Sequence, residues 1–120
     1  MKAAVWRGLS DLSIQDVPQP SPCEGEVLIK TKAVGICGTD LEIYDGRFKQ
    51  SEPPLIIGHE GGGVVEAVGA GVSRLKKGDG VVVSGLLYCG KCEYCERGQY
   101  GLCDHGRALG IMGAQGEYAE

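Results

Sequence analysis

Two groups of residues in this sequence have side chains and spacings that suit metal binding. The first is a run of cysteines in the pattern CxxCxxCx7C, formed by Cys89, Cys92, Cys95 and Cys103. Thiolates two residues apart can reach one small cation, and four of them complete the closed tetrahedral shell of a structural Zn²⁺. The second group is the triplet Gly58-His59-Glu60 together with Cys37. Because a thiolate and an imidazole leave positions open on a metal, this group predicts a site for chemistry.

The four-cysteine run favours structural zinc over two alternatives. Unligated thiols at this density would be prone to oxidation. An iron–sulfur cluster also uses CxxCxxC, but its fourth cysteine follows after three residues and precedes a proline. Here Cys103 follows Cys95 after seven residues and precedes Asp104. His105 could compete as a ligand, but four thiolates already fill a tetrahedral shell, so we interpret it as a surface imidazole.

Length and composition narrow the class of protein. The 120 residues suffice for about one domain, and 42% hydrophobic and 23% charged residues are typical of a soluble globular chain. A net charge of -4 offers no basic face for nucleic acid. The N-terminus lacks the apolar run of a signal peptide, and no stretch approaches the roughly 20 apolar residues that span a bilayer. We therefore expect a cytoplasmic protein, whose six cysteines stay reduced and favour metal binding over disulfides.

The glycines indicate a mainly β fold. The chain has 21 glycines, and they fall between short β-branched runs, where glycine is typical of turns. Strands are predicted at residues 3–6, 12–17, 26–34, 63–68 and 80–83. Residues 7–11 are predicted to form a hairpin turn, and three prolines at 18, 20 and 22 interrupt pairing before the third strand.

One helix and one irregular lobe complete the predicted fold. The helix is expected at residues 39–45, with Thr39 or Asp40 as its N-cap and Gly46 at its end. Residues 88–105 are rich in cysteine, glycine and charge and poor in β-branched side chains. This segment should therefore be organised by a metal instead of an apolar core.

Several motifs occur in an order that resembles a known family. Residues 58–63, followed by Gly69 and Val72, fit the signature GHE, two residues, G, five residues, G, two residues, V. Residues 34–40, the Lys77-Gly78-Asp79 approach to a strand and the four-cysteine lobe accompany it. Together they resemble the N-terminal catalytic domain of the zinc-containing medium-chain alcohol dehydrogenase family, over essentially the whole chain. The resemblance implies a GroES-like fold, a partly open β-barrel with a short helix and a zinc-binding lobe.

The family resemblance also implies an activity and a set of roles. It implies an oxidoreductase in which zinc polarises a small alcohol, polyol or carbonyl substrate, with hydride exchanged with NAD or NADP. Cys37 and His59 would hold the catalytic zinc. Glu60 would either bind that metal, exchanging with water, or stand beside the ligands. Thr39 would carry the substrate proton away from the zinc or serve only as a helix cap.

The nucleotide-binding part of such an enzyme is not expected in this chain. The nearest GxGxxG candidate is residues 69–74, but Arg74 stands at its last glycine position and too few residues follow for a helix. We interpret it as a strand-end turn, so no cofactor-binding residue is assigned. A Rossmann domain and a further zinc ligand are expected outside these residues. The chain is then a truncated catalytic domain, inactive alone, and residues 116–120 resemble the start of a family strand.

Further expectations follow from the resemblance, and two alternatives remain open. The full-length protein is expected to share the family's dimeric or tetrameric assembly, without nucleic-acid or membrane partners. Residues 37–44 are similar to polyol and threonine dehydrogenase branches, which commonly carry histidine at the position of Glu42. The first alternative is a free-standing, zinc-stabilised GroES-like binding module without catalysis. The second is an iron–sulfur electron carrier.

Overall fold

Short strands separated by glycine- and proline-rich turns make up most of the chain. The computed structural model describes residues 1–117 and 119. Its strands are β1 (Lys2–Gly8), β2 (Asp11–Asp16), β3 (Val27–Val34), β4 (Leu55–Ile56), β5 (Gly61–Val68), β6 (Gly80–Val82), β7 (Leu86–Leu87), β8 (Arg107–Leu109) and β9 (Gly113–Ala114). The helices are α1 (Gly38–Tyr44) and α2 (Glu93–Glu96), with a 3₁₀ turn at Tyr100–Leu102.

All five predicted strands are present, and the predicted helix is α1 shifted by one residue. The hairpin turn is also confirmed, since Gly8 pairs with Asp11 across a two-residue loop. The strands that the sequence did not predict are β4, β7, β8 and β9, each two or three residues long. Strands this short cannot display the alternation of apolar and polar residues on which the prediction rests.

The strands form three separate three-stranded sheets. Their orders are β2-β1-β4, β3-β5-β6 and β7-β8-β9. Every pairing within them is antiparallel except β8 with β9. The predicted mainly β class is confirmed, and within the described residues the sheets stay open instead of closing into a barrel.

The pairing of β3 with β5 brings distant parts of the sequence together. Val34 at the end of β3 lies opposite Gly61 at the start of β5. One residue further, the Gly35 N–H donates to the Glu60 carbonyl oxygen at 2.9 Å. Cys37 and His59 continue from the two chains at this same end of the sheet. The register therefore places them side by side, although 22 residues separate them in sequence.

The main apolar core anchors the helix that follows Cys37. Trp6, Ile43, Leu55 and Ile57 form a buried cluster, and Tyr44, Phe48 and Ile111 pack against it. Ile43 is the helix side chain at its centre, with 0% of its surface exposed. A second cluster of Ala3, Val5 and Ile56 lies on the other face of β1, as expected from the alternation of side chains along a strand. The core therefore fixes α1 against β1 and β4.

The predicted N-cap of this helix is wrong. Neither Thr39 nor Asp40 caps α1; Cys37 is the N-cap, in an extended conformation with φ -111° and ψ 174°. Asp40 occupies the third helical position, where its Oδ2 accepts a hydrogen bond from the Cys37 N–H at 2.9 Å. This is the backward-reaching half of a capping box, so the acidic side chain still satisfies the helix start, from inside the first turn.

One residue near the end of the described chain pairs with β1. Ala119 forms an antiparallel bridge with Ala3. Tyr118 and Glu120, which belong to the strand start predicted at residues 116–120, lie outside the described residues. Among the residues that the structure describes, no helix has the length and apolar character needed to cross a membrane.

The core predicts a sharp contrast between two isoleucines. Ile43→Ala should lower the free energy of unfolding by about 2–5 kcal/mol, because it removes a fully buried side chain and leaves a cavity. Ile14 on edge strand β2 is 69% exposed, so Ile14→Ala should cost less than about 1 kcal/mol. Urea unfolding followed by circular dichroism measures both. Equal losses for the two variants would contradict the assignment of the core.

Candidate metal centres

The four cysteines of the predicted lobe converge on one point. The Sγ atoms of Cys89, Cys92, Cys95 and Cys103 all lie within 4.8 Å of one another. Cys95 is buried and the other three are half-buried. The Cys92 and Cys103 sulfurs are 3.9 Å apart, and the Cys89 N–H points at the Cys103 sulfur from 3.3 Å. His105 is exposed and does not belong to the group.

Short elements rather than an apolar core bring these sulfurs together. Strands β7 and β8 pair at the base of the lobe, which brings the segment entering it beside the segment leaving it. Cys92 is the N-cap of α2, so Cys95 lies on the first turn of that helix. Tyr88 and Tyr100, from the two sides of the lobe in sequence, stack with ring centroids 4.2 Å apart.

The environment of the sulfurs suits a bound cation. Hydrogen bonds from the backbone N–H groups of Cys95 and Asp104 lower the pKa of the Cys92 thiol to about 6, and the N–H of Lys91 lowers the pKa of Cys89. Burial instead raises the pKa of the Cys95 thiol to about 12, because a thiolate there lacks a compensating positive charge. A divalent cation among the four sulfurs would supply that charge. Four thiolates of this spacing fit Zn²⁺, which favours tetrahedral sulfur shells.

The second group forms where β3 and β5 end together. Cys37 Sγ lies 3.0 Å from His59 Nε2. On the other side of the imidazole ring, His59 Nδ1 lies 3.4 Å from Asp40 Oδ1. The ligand atoms of these three residues all fall within 4.8 Å of one another. The structure thus joins the two residues that sequence spacing singled out and adds a carboxylate behind them.

Asp40 is the site residue that sequence reasoning treated only as a helix cap. It is 3% exposed, and its two carboxylate oxygens face different partners, the Cys37 backbone N–H and the His59 ring. A carboxylate that faces one imidazole nitrogen fixes the ring orientation and leaves the other nitrogen for a metal. The signal in the sequence was the Cys-x-x-Asp spacing at a helix start, but Asp40 was interpreted there only as a candidate N-cap.

Two other predicted site residues lie near this group without belonging to it. Glu60 is exposed, and its Oε2 packs beside the backbone of Gly35. Thr39 is half-buried in the first turn of α1, between Cys37 and Asp40 in sequence. Glu42, where related branches carry histidine, is exposed on the same helix.

A further acidic residue lies close to His59. The Glu117 carboxylate is half-buried over the backbone of Gly61, two residues beyond His59 in sequence. Burial raises the pKa of this carboxyl group, while the Gly61 N–H and the nearby His59 lower it. Its position depends on a contact across 56 residues of sequence, so no local pattern singles it out.

The described residues contain no element that suits a dinucleotide. Residues 69–71 form a turn directly after β5, as the sequence predicted, with Gly71 at φ +80°. The longer of the two α-helices in the described chain, α1, has only seven residues. A βαβ nucleotide-binding unit requires a longer helix opening on its glycines.

The structure thus combines a mainly β fold with a four-cysteine lobe and a separate cysteine–histidine group. Residues 23–120 match the family described as the alcohol dehydrogenase GroES-like domain. The chain belongs to this family, and the fold expected from the sequence resemblance is confirmed.

The named proteins that the chain resembles in sequence are dehydrogenases, as expected for this family. The chain is 42% identical to a sorbitol dehydrogenase from Bacillus subtilis, over 100% of this chain and 35% of that protein. It is 48% identical to an L-threonine 3-dehydrogenase from Pyrococcus horikoshii, over 87% of this chain and 31% of that protein. The chain therefore spans about a third of the length of these relatives.

Solved structures give the same result. The chain superposes on an alcohol dehydrogenase from Thermus sp. ATN1 with a TM-score of 0.92 and 37% identity, covering 100% of this chain and 36% of that one. A thermostable alcohol dehydrogenase from Pyrobaculum aerophilum, solved with cobalt and zinc bound, gives a TM-score of 0.89 and 40% identity. There the match covers 100% of this chain and 37% of the other.

The lobe predicts a local response to loss of one ligand. Cys92→Ser should release one metal ion per chain and loosen residues 88–105 while the β-sheets stay folded, because the lobe has no apolar core. Cys23→Ser is the matched control, since Cys23 is exposed and lies outside both groups. Metal analysis and limited proteolysis measure the difference. Equal metal content and equal protease resistance in the two variants would contradict a metal-held lobe.

Proposed function

We propose that this chain is the zinc-binding catalytic domain of an NAD(P)-linked alcohol or polyol dehydrogenase. One observation carries the proposal: Cys37 and His59 converge on one point, with the buried Asp40 carboxylate behind the imidazole. A structural role alone does not require a second, incompletely ligated thiolate–imidazole pair beside a complete four-cysteine lobe. We place the whole of residues 1–120 in this domain, with the lobe at residues 88–105.

The side chains at this site suit a catalytic zinc. Sulfur and imidazole nitrogen are ligands that zinc prefers, and two protein ligands leave room for another ligand and a substrate. Zn²⁺ held there would supply Lewis acidity that lowers the pKa of an alcohol or polarises a carbonyl. Cys37 and His59 would hold the ion, while Asp40 would orient the imidazole so that Nε2 faces the metal and Nδ1 keeps its proton.

Two neighbours would complete the chemistry. The Thr39 hydroxyl, in the first turn of α1, would accept the proton of the substrate hydroxyl and pass its own proton toward solvent. The exposed Glu60 carboxylate follows His59 directly and would approach the metal only by moving from its place beside Gly35. Glu60 thus fits an exchangeable ligand better than a permanent one.

The hydride acceptor would be a nicotinamide cofactor bound outside the described residues. In such enzymes the protein places the nicotinamide against the substrate carbon, which requires a dinucleotide-binding unit. No described element supplies one, so NAD-dependent alcohol oxidation by these 120 residues alone is not expected. The sorbitol and threonine dehydrogenases among the relatives support a substrate that carries neighbouring polar groups.

The metal content of the chain tests this function directly. Protein purified under reducing conditions without added metal should contain close to two zinc ions per chain, and Cys37→Ser should reduce this to one. A single zinc in the parent, unchanged by Cys37→Ser, would place the metal in the four-cysteine lobe and would mean that the Cys37–His59 site needs a further ligand from outside the described residues. Iron in place of zinc would support the electron-carrier alternative. Element-resolved mass spectrometry distinguishes the three.

The role of Asp40 yields a separate prediction. Asp40→Asn should weaken zinc binding at the Cys37–His59 site by about 10- to 100-fold, because the imidazole loses the carboxylate that orients it. Asp45→Asn is the matched control at the C-cap of the same helix, an exposed residue that pairs with Arg47 instead. Competition with a chromophoric chelator measures both affinities. If the two variants bind zinc equally well, Asp40 has no orienting role.

A further inference from the structure

The segment that follows the four-cysteine lobe packs against the backbone just before His59. It begins at Gly110, directly after β8, and ends at Glu117. Two of its glycines contact the backbone just before His59: Gly110 lies against Gly58, and Gly116 lies against Gly58 and Ile57. We call residues 110–117 the clamp segment.

The contacts of Gly116 leave no space for a side chain. A Cβ atom on this residue would lie 2.5 Å from the Gly58 oxygen and 2.5 Å from the Ile57 oxygen, both of them backbone atoms. It would also lie 2.6 Å from the Gly110 Cα. Gly110 has φ +59° and an equally close approach to Gly58, so it too requires glycine. The two glycines thus hold Gly58 by direct backbone contact.

Hydrogen bonds fix the clamp segment in this position. The Gly116 N–H donates to the Ile56 carbonyl oxygen at 2.6 Å, and the Glu117 N–H donates to the Gly58 carbonyl oxygen at 3.0 Å. The Gln115 side-chain oxygen accepts from the Ile56 N–H at 2.7 Å. The clamp segment therefore binds the Ile56 N–H and the carbonyl oxygens of Ile56 and Gly58, just before His59.

We infer that Gly110 and Gly116 are positioning residues that set the geometry of the Cys37–His59 metal site through the backbone of Gly58. The inference rests on the proposed function, because it concerns that same site. His59 is bonded to Gly58, so a shift of the Gly58 backbone moves the imidazole. Metal–ligand distances tolerate only about 0.2 Å, so displacement by a few tenths of an ångström is enough to weaken the site. The four-cysteine lobe lacks this contact and would be unaffected.

Gly116→Ala tests the inference, with Gly80→Ala as the matched control. A Cβ on Gly80 meets no atom within 4 Å, and Gly80 is exposed on β6. The zinc affinity of each site is measured by chelator competition in the parent and in both variants. Gly116→Ala should weaken the Cys37–His59 site by about 10- to 100-fold, the range found when groups that orient a metal ligand are removed. The lobe should keep its affinity, and Gly80→Ala should match the parent at both sites.

Unchanged affinity at the Cys37–His59 site in a folded Gly116→Ala protein would overturn the inference. If that variant does not fold, as shown by loss of the lobe zinc and of the unfolding transition, Gln115→Ala replaces it. This milder change removes one hydrogen-bond acceptor of the clamp segment and should weaken the site about threefold. No weakening in Gln115→Ala would then overturn the inference.

A second measurement separates failure of the clamp from failure of the proposed function. The chain has only two histidines, so a long-range ¹H–¹⁵N spectrum of the reduced, metal-free protein contains two imidazoles, with His105 as an internal reference. In the parent, the His59 Nδ1 should carry the proton, because it faces a carboxylate that only accepts. Gly116→Ala should give a mixture of tautomers, and an unchanged His59 spectrum would refute the clamp even where the parent binds no zinc there. Absence of zinc from the Cys37–His59 site of the parent, with a changed His59 spectrum in Gly116→Ala, would contradict zinc binding by this pair in the 120-residue chain and leave the clamp supported.

Discussion

The register between β3 and β5 is the constraint on which the candidate catalytic site depends. Val34 opposite Gly61 brings the end of one strand beside the start of the other. The loop after β3 then delivers Cys37, and the loop before β5 delivers His59, at the same edge of the sheet. A slip of one residue would turn the side chains of a strand to the opposite face and separate the sulfur from the imidazole. Close backbone contact of β5 glycines with β3 and β6 pins this register, and the buried helix face holds the Cys37 side of the site.

The two candidate metal centres are held together by different means. The four-cysteine lobe is local: its ligands lie within 15 residues of sequence, and the cation itself would balance the charge of the buried Cys95 thiolate. The Cys37–His59 site is assembled by sheet register, core packing around Ile43 and the contact of Asp40 with two partners. A metal can therefore organise the first, whereas sheet register, core packing and the Asp40 contacts position the residues of the second.

This difference explains what the sequence predicted well. The CxxCxxCx7C spacing defines the lobe because the ligands are neighbours in sequence, and the alternating runs define β1, β2, β3, β5 and β6. Cys37 and His59 were singled out by signature residues. Asp40 was assigned only to the helix cap because its contact with His59 arises from a strand register that no local pattern encodes. Glu117, Gly110 and Gly116 were not identified for the same reason: their partners Gly61 and Gly58 lie more than 50 residues away in sequence.

The lobe and the candidate catalytic site also share a physical connection. Strands β7 and β8 close the base of the lobe, and the Leu109 N–H at the end of β8 donates to the Gly85 carbonyl oxygen at 2.9 Å. Gly110 follows immediately and lies against Gly58, which precedes His59. A lobe without an apolar core contributes little to stability by itself. It does hold β7 and β8 together, and the clamp segment follows directly after β8. Ordering the clamp segment costs conformational entropy, and convergence of the four cysteines offsets part of that cost. The four-cysteine lobe therefore helps to place His59 in the candidate catalytic site.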